Sequence, residues 1–325
     1  CALPISGAPA VGTGVLFVPP GPAPEGGRPV ISYAHGTVGI GDDCAPSRNP
    51  RADVERAYLE HWLAQGYAVV AADYPGLGTD GVHTYLAGQS AANSVVDIVR
   101  AGRAAEPSLS PRWVVVGQSQ GGHAALHTAH RASLRAPELD FRGTVTTGAP
   151  SNLERLFPFG GPGFPDPGFE GLVAFSSYIF AGLRAAHPDL DVNSYLTPTG
   201  REFVDAAERL CYNELDALAG DVRVGDLAPE APAVLRERDL GDELREAPDL
   251  AAGGVGGRGR DRQVQHVHPD RALLGARVRG QQVRPAAQRQ PGAVGGDAHR
   301  QADLVVDADR RVAVLVTGDR HERPA

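Results

Sequence analysis

Residues 113–126 read WVVVGQSQGGHAAL, an apolar run followed by glycines and then by small, helix-forming residues. The first four residues have the composition of a buried strand, and a helix is predicted to begin near Gln120. Between the two, residues 117–121 follow the pattern G-x-S-x-G, which in this context is typical of a nucleophile elbow. We therefore predict that Ser119 is a nucleophile whose hydroxyl projects above a sheet. The N–H of Gln120 is then the first oxyanion donor. A chance match in a Gly-rich chain is the alternative.

Similar apolar runs alternate with helix-forming segments over the first 149 residues. Such an alternation favours an α/β fold with a mostly parallel sheet covered by helices on both faces. The predicted strands cover 14–18, 29–33, 67–72, 113–116 and 141–146, and the predicted helices cover 53–65, 90–105 and a segment from about 120. From 150 to 213 the chain changes to Gly- and Pro-rich loops and aromatic-rich helices at 172–186 and 200–210. We expect a core over 1–149 and a cap or lid over 150–213.

A second oxyanion donor is expected from the loop that follows an early central strand. That loop begins with His35, Gly36 and Thr37. Gly36 permits a close approach of the backbone, and Thr37 offers an N–H or a hydroxyl, although an ordinary glycine turn is the alternative. His35 is expected to be a structural hydrogen-bonding residue, because the catalytic histidine of this fold comes last in the chain. His123 is one turn below the elbow and is also expected to be structural.

Composition excludes several classes of function. The net charge is -8 and all 31 basic residues are arginine, with no basic patch among aromatics, so we expect no nucleic-acid partner. No window is apolar enough to span a membrane. His127 and His130 have metal-compatible spacing, but no carboxylate or cysteine accompanies them, so we expect no metal and no cofactor. The chain has no Met, so we expect Cys1 to be a processed or fragment end rather than a lipid anchor, with any signal peptide lost.

Several motifs together resemble the secretory lipase family, in the order seen in its fungal lipase A-type and actinobacterial members. They read AHGT at 34–37, CAPS at 44–47, QGYAVV at 65–70, DYPGLG at 73–78, GQSQGGHA at 117–124 and APEL at 136–139. The resemblance covers residues 14–211. It implies an α/β-hydrolase fold with a helical lid, a secreted serine ester hydrolase acting on acylglycerols or related esters, and transient binding to a lipid interface.

The same resemblance implies roles for particular residues. Ser119 corresponds to the nucleophile, and Gln120 and the loop of Gly36 and Thr37 supply the oxyanion donors. It also implies a disulfide between two of the three cysteines, Cys44 and Cys211, and hence an oxidising compartment.

The acid and the histidine of a triad have no convincing candidates. In this fold both follow the nucleophile, so they belong after Cys211. Residues of the right type are Asp261, Asp270, Asp297, Asp307, Asp319, His266, His268, His299 and His321. The apolar run 314–317 resembles a strand, but only His321 follows it. We therefore assign neither residue and expect the chain as written to have little activity.

The composition changes sharply near Glu214. Up to Asn213, 55 of 213 residues need A or T as the first codon base, whereas only 1 of the following 112 does. Protein chemistry gives no reason for such sorting, but a GC-rich gene read out of frame does. We interpret 214–325 as a frame-shifted tail that lacks the expected last strands, with the switch between Glu214 and about Leu250 and little stable burial after about residue 225. A natural low-complexity tail or a small Arg-rich domain is the alternative.

Two further functions remain open on sequence grounds. The first is a non-catalytic or decayed protein of the same fold, and the second is a serine peptidase, because an elbow does not distinguish an amide from an ester. The aromatic residues of the cap favour an apolar acyl chain as ligand. They serve equally well to pack the cap onto the sheet.

Overall fold

A computed structural model describes residues 10–151 and 171–228, together with the backbone of 265–266 and 312–317. Seven strands form one mixed sheet in the order β6-β5-β4-β2-β3-β1-β7. Their bounds are β1 Gly12–Phe17, β2 Arg28–Ala34, β3 Ala68–Ala72, β4 Leu109–Gln118, β5 Asp140–Thr147, β6 Gln265–His266 and β7 Val312–Thr317. Strands β3, β2, β4, β5 and β6 run parallel, and β1 pairs antiparallel with both β3 and β7. The predicted parallel α/β architecture is confirmed.

Three helices cover the sheet: α1 Asp53–Ala64, α2 Gly88–Ala105 and α3 Gln120–Arg135. Successive residues of a strand point to opposite faces, so the two layers divide the strand residues between them. Val30 packs in the cluster that also contains residues of α2 and α3, whereas Ile31 packs with Leu59 of α1. This two-sided burial explains why the strands are continuously apolar rather than alternating.

A second group of helices, here called the cap, packs around a core of its own in the region where a cap is predicted. It comprises α4 Leu172–Ala186, α5 Pro198–Ala207 and α6 Tyr212–Ala219, with short 3-10 helices at Val192–Tyr195 and Val224–Asp226. Tyr178 and Val204 are fully buried in its core. Helix α4 is observed with the bounds predicted for it, 172–186. Residues 152–170, which include part of the predicted cap, lie outside the described residues.

The cap core extends beyond the point where the composition changes. Leu215 and Leu227 are fully buried in the same cluster as Tyr178, and Ala228 is only 4% exposed. Burial therefore continues a few residues past 225, where we expected it to end. The interpretation of 214–325 as a non-native tail stays a prediction for the residues beyond Ala228. The tail also supplies edge strands β6 and β7, of which β7 includes the apolar run noted in the sequence.

A disulfide joins Cys44 to Cys211, with the two Cα atoms 5.4 Å apart, as the family resemblance implied. It ties the segment after β2 to the start of α6, so it links the sheet layer to the cap. Gly39 pairs with Cys211 in an isolated bridge, and a Cβ at Gly39 would lie 2.8 Å from the Cys211 Cα. Only glycine fits there, because its φ is also +120°.

No helix within the described ranges combines the length and the apolar character that a membrane crossing requires.

Candidate active site

Ser119 occupies the sharp turn between β4 and α3. Its backbone has φ 55° and ψ -124°, a conformation that residues other than glycine rarely adopt. Its N–H donates to the Thr147 carbonyl at 2.9 Å, and its own carbonyl accepts from the His123 N–H at 3.0 Å. The residue is half-buried, in contrast to its fully buried neighbour Gln120. Strain of about 1–3 kcal/mol at such a residue persists only where the surrounding structure enforces it.

The glycines on both sides of Ser119 make this turn possible. A Cβ at Gly117 would collide with the carbonyl of Gly121 and lie 2.9 Å from the Gly122 nitrogen. A Cβ at Gly121 would collide with the backbone of β2, at 2.7 Å from the His35 carbonyl oxygen. The G-x-S-x-G pattern therefore lets α3 pack directly onto the strand ends.

The loop after β2 lies beside the turn. A Cβ at Gly36 would be 3.9 Å from the Ser119 Cβ and 3.0 Å from the Gln118 Oε1. The structure thus brings Gly36 and Ser119 together, as an oxyanion loop requires. The Thr37 hydroxyl lies 2.6 Å from the Tyr85 hydroxyl. It is therefore held by Tyr85, and the Thr37 backbone N–H is the better candidate donor.

Gln120 is the first residue of α3 and is only 3% exposed. The first N–H groups of a helix have no partner within it, so the Gln120 N–H can face developing negative charge. Its side chain points into the protein, where the amide nitrogen lies 2.8 Å from His83 Nε2. The amide oxygen has no hydrogen-bond partner.

His83 is a residue of the site that the sequence analysis did not identify. Its Nδ1 lies 3.0 Å from the Pro75 carbonyl, so Nδ1 carries the proton and Nε2 accepts from Gln120. Burial lowers the pKa of His83 to about 4, which keeps the ring neutral. No local pattern signals this role, because the hydrogen bond spans 37 residues of sequence.

His35 is buried and hydrogen-bonded to backbone. Its Nδ1 lies 2.7 Å from the Gly36 carbonyl, and its Nε2 lies 3.4 Å from the Asp73 carbonyl. Burial lowers the pKa of His35, so a neutral ring donates from Nδ1 to the closer carbonyl. These contacts fit the structural role expected from its position before the nucleophile.

His123 and His127 lie one turn apart on α3 with ring centroids 4.5 Å apart. Both nitrogens of His123 and the Nε2 of His127 are buried without a hydrogen-bond partner. Burial lowers the pKa of His123 to about 3 and that of His127 to about 4. His130 is exposed on the same helix. The described part of the chain contains no group of three or more potential metal ligands.

A cavity of about 520 Å³ lies next to the loop after β2. Gly36, Thr37, Gly117 and Gln118 line its end near the turn, although Ser119 itself does not. Its remaining lining runs along the face of the sheet toward α1. Those residues are Tyr33, His35, Val38, Val54, Glu55, Tyr58, Val116, Val145 and Thr147. The loop of Gly36 and Thr37 therefore borders on space that a small ligand could enter.

Among the residues that the structure describes, no triad partner is found near Ser119. Within 10–151 and 171–228, no hydrogen bond joins the Ser119 hydroxyl to a histidine; the ring contacts of His35, His83 and His123 are those given above. The candidates Asp261, Asp270, Asp297, Asp307, Asp319, His268, His299 and His321 lie outside the described residues, and only the backbone of His266 is described.

A mostly parallel sheet covered by helices, with a serine at positive φ between a strand and a helix, defines an α/β hydrolase. The sequence model of the secretory lipase family matches residues 48–232, more than half of the chain. The chain therefore belongs to the secretory lipase family.

Solved structures with the same fold include lipases and esterases. Lipase A from Candida antarctica is 21% identical with a TM-score of 0.57 and aligns over 74% of this chain. A putative hydrolase from Legionella pneumophila is 20% identical, with a TM-score of 0.63 over 75% of this chain and 68% of its own. The rice cell wall degrading esterase LipA from Xanthomonas oryzae is 22% identical, with a TM-score of 0.58 over 75% and 69%.

The chain spans little more than half of the Candida lipase, 56% of its length. A search of curated proteins returned no match.

Proposed function

We propose that this protein is a secreted serine ester hydrolase that cleaves carboxylic esters through an acyl-enzyme on Ser119. One observation carries the proposal: Ser119 is held at φ 55° in the turn between β4 and α3, beside the loop of Gly36. Membership of the secretory lipase family and the lipase and esterase neighbours of the fold support an ester as substrate. The Cys44–Cys211 disulfide supports an oxidising, extracellular location.

The proposed reaction has two halves. The Ser119 oxygen attacks the acyl carbon while a base accepts its proton, and the carbonyl π electrons move to the oxygen, which takes the negative charge. The N–H groups of Gln120 and of Gly36 or Thr37 stabilise that oxyanion. The intermediate collapses, the alcohol leaves with the proton, and water then hydrolyses the acyl-Ser119 by the same steps.

The substrate is proposed to be an acylglycerol or a related ester. Tyr178 is fully buried and Phe180 is 5% exposed, so both pack in the cap core rather than line a substrate site. Phe175 stacks on Tyr212. Packing is thus their role, and the preference for a lipid rests on the family. Transient binding to a lipid interface is part of the proposal and predicts faster hydrolysis of emulsified than of dissolved ester.

We also propose that the chain as written turns over slowly, because the base and the acid are not found among the described residues. The test is labelling of Ser119 with a fluorophosphonate, located by peptide mass spectrometry, with Ser119→Ala as the control. Labelling at Ser119 alone supports the nucleophile, and its absence in the folded protein favours the non-catalytic alternative. Turnover of about 1–10³ s⁻¹ on a short-chain ester would instead show that a working triad is present. Cleavage of a peptide amide but not of the matched ester would favour a peptidase.

A further inference from the structure

We propose that His83 is a positioning residue that holds both sides of the oxyanion hole in register, an inference that rests on the ester-hydrolase function proposed above. His83 is buried outside the sequence motifs and touches neither the Ser119 hydroxyl nor the loop of Gly36 directly. It acts on one side through the side chain of Gln120 and on the other through Tyr74 and His35.

On the elbow side, the contact is a hydrogen bond with a fixed direction. The Pro75 carbonyl holds the proton of His83 on Nδ1, so Nε2 presents a lone pair to the Gln120 amide nitrogen at 2.8 Å. Gln120 is only 3% exposed, so bulk water does not compete with His83 for the hydrogen bond from its side chain. The same residue carries the proposed backbone donor, and a fixed side chain therefore limits movement of that N–H.

On the loop side, Tyr74 lies between two histidine rings. His83 stacks on Tyr74 with centroids 5.6 Å apart and an interplanar angle of 11°, and His35 lies on Tyr74 at 4.5 Å. The Tyr74 hydroxyl donates to the His35 carbonyl at 3.1 Å, and His35 Nδ1 donates to the Gly36 carbonyl at 2.7 Å. Displacement of the His83 ring would therefore shift Tyr74 and His35, and with them the backbone of Gly36.

The backbone holds His83 in this position. A Cβ at Gly76 would lie 2.6 Å from the His83 nitrogen, so the 73–78 loop packs directly on the segment that carries His83. Tyr74 itself is fully buried and has φ 70°, an unfavourable conformation for a bulky residue. A purely apolar ring would fill the space under Tyr74 equally well. The use of both imidazole nitrogens is what distinguishes positioning from packing.

The test is a double-mutant cycle on the full chain with His83→Phe, Gln120→Met and the combination. His83→Phe keeps a ring against Tyr74 but removes both nitrogens, and Gln120→Met keeps the backbone N–H but removes the amide. The double variant replaces both partners by apolar groups, which protects folding. His123→Phe is the matched control, because it removes two equally buried nitrogens that have no hydrogen-bond partner.

Two readouts are needed for each variant. The first is the rate constant of Ser119 phosphonylation at saturating fluorophosphonate, with the half-saturating concentration measured separately. The second is the imidazole ¹⁵N NMR spectrum of His83, which reports the acceptor state of Nε2. We expect each single variant to lower the rate constant about 10- to 100-fold with little change in half-saturation, since oxyanion contacts form only in the transition state. The double variant should be no slower than the slower single one.

The outcomes separate the two proposals. If the single variants stay within twofold of wild type, or if their effects multiply in the double variant, His83 does not act through Gln120 and the inference is wrong. If wild-type Ser119 is not labelled at all, the proposed function fails, and the NMR readout then decides the link alone. In that case an Nε2 signal that moves in Gln120→Met but not in His123→Phe supports the link, and an unmoved signal refutes it.

Discussion

Acidification should destabilise this protein because four histidines, His35 and three others with strongly lowered pKa values, are buried in the neutral state. Burial lowers the pKa of His123 to about 3 and those of His127 and His83 to about 4, with the charge of Arg131 lowering that of His127 further. The unfolded chain binds protons at these residues below its ordinary histidine pKa of about 6.5, whereas the folded chain does not. The contribution of these neutral histidines to the free energy of unfolding is therefore fully present above pH 6.5, and it is lost as the pH falls toward 4.

The magnitude follows from the difference in pKa. At pH 5 each of these histidines disfavours the folded state by about 2 kcal/mol relative to neutral pH, which gives about 6 kcal/mol for the three. A typical domain has a total stability of about 5–15 kcal/mol, so we expect the protein to lose a large part of its stability by pH 5. The assay is urea unfolding followed by fluorescence of Trp62 and Trp113 at pH values from 7.5 to 4.5.

A single substitution isolates the cause. His123→Phe removes one buried titrating group, so the fall in stability with pH should become shallower by about 1.4 kcal/mol per pH unit between pH 6 and 4.5. His130→Gln is the matched control on the same helix, and it should change the slope little, because His130 is exposed and its charge is the smallest of the causes that lower the His127 pKa. A slope in His123→Phe that equals the wild-type slope would refute the reasoning, as would constant stability of the wild type from pH 7.5 to 5.

Four further perturbations test particular contacts or conformations. Replacing Cys44 and Cys211 by serine opens a loop of 167 residues and should lower stability by about 5 kcal/mol in the chain-entropy model, measured as a lower urea midpoint without reductant; an unchanged midpoint contradicts this. Gly121→Ala should prevent folding or cost more than about 3 kcal/mol, because its Cβ would meet the backbone of β2. Gly66→Ala, where φ is +87° and the space is open, should cost only about 1 kcal/mol in the same unfolding assay. Ser119→Gly should raise stability by about 1 kcal/mol by relieving the strain at φ 55°, while abolishing phosphonate labelling; lower stability would mean that the turn is not strained.

Local patterns were sufficient to predict most of the framework. The apolar runs predicted β1 to β5 within a few residues, and the helix at 172–186 has its predicted bounds. Strand β4 begins at Leu109, earlier than the predicted 113, because Leu109 pairs with Arg28 across an irregularity in the ladder. A propensity argument for the charged and proline-containing start of that strand could not anticipate this tertiary pairing.

The site was predictable only where its chemistry is local in sequence. The turn at Ser119 is encoded by glycines two residues on either side, so the pattern and the geometry coincide. His83 and Tyr74 were not predicted, because their roles depend on contacts with Gln120 and His35 that span more than 35 residues. No spacing rule records such contacts, and only the fold brings these rings together.

The compositional change and the packing together restrict where a change of reading frame can lie. Residues whose codons need A or T as the first base almost disappear from Glu214 onward. Leu215 and Leu227 are nevertheless fully buried among the cap helices. A Cβ at Gly200 would lie 2.9 Å from the Leu227 carbonyl carbon, and the Thr197 N–H donates to the Leu227 carbonyl at 3.0 Å. A sequence read out of frame has no reason to fit α5 so closely, and the family match continues to residue 232. We therefore expect the coding sequence to remain in the family's frame through codon 232. An alternative frame that encodes a strand, a Gly-x-x-Asp turn and a later histidine should open only beyond that codon. Such a frame starting before codon 227 would contradict the packing argument.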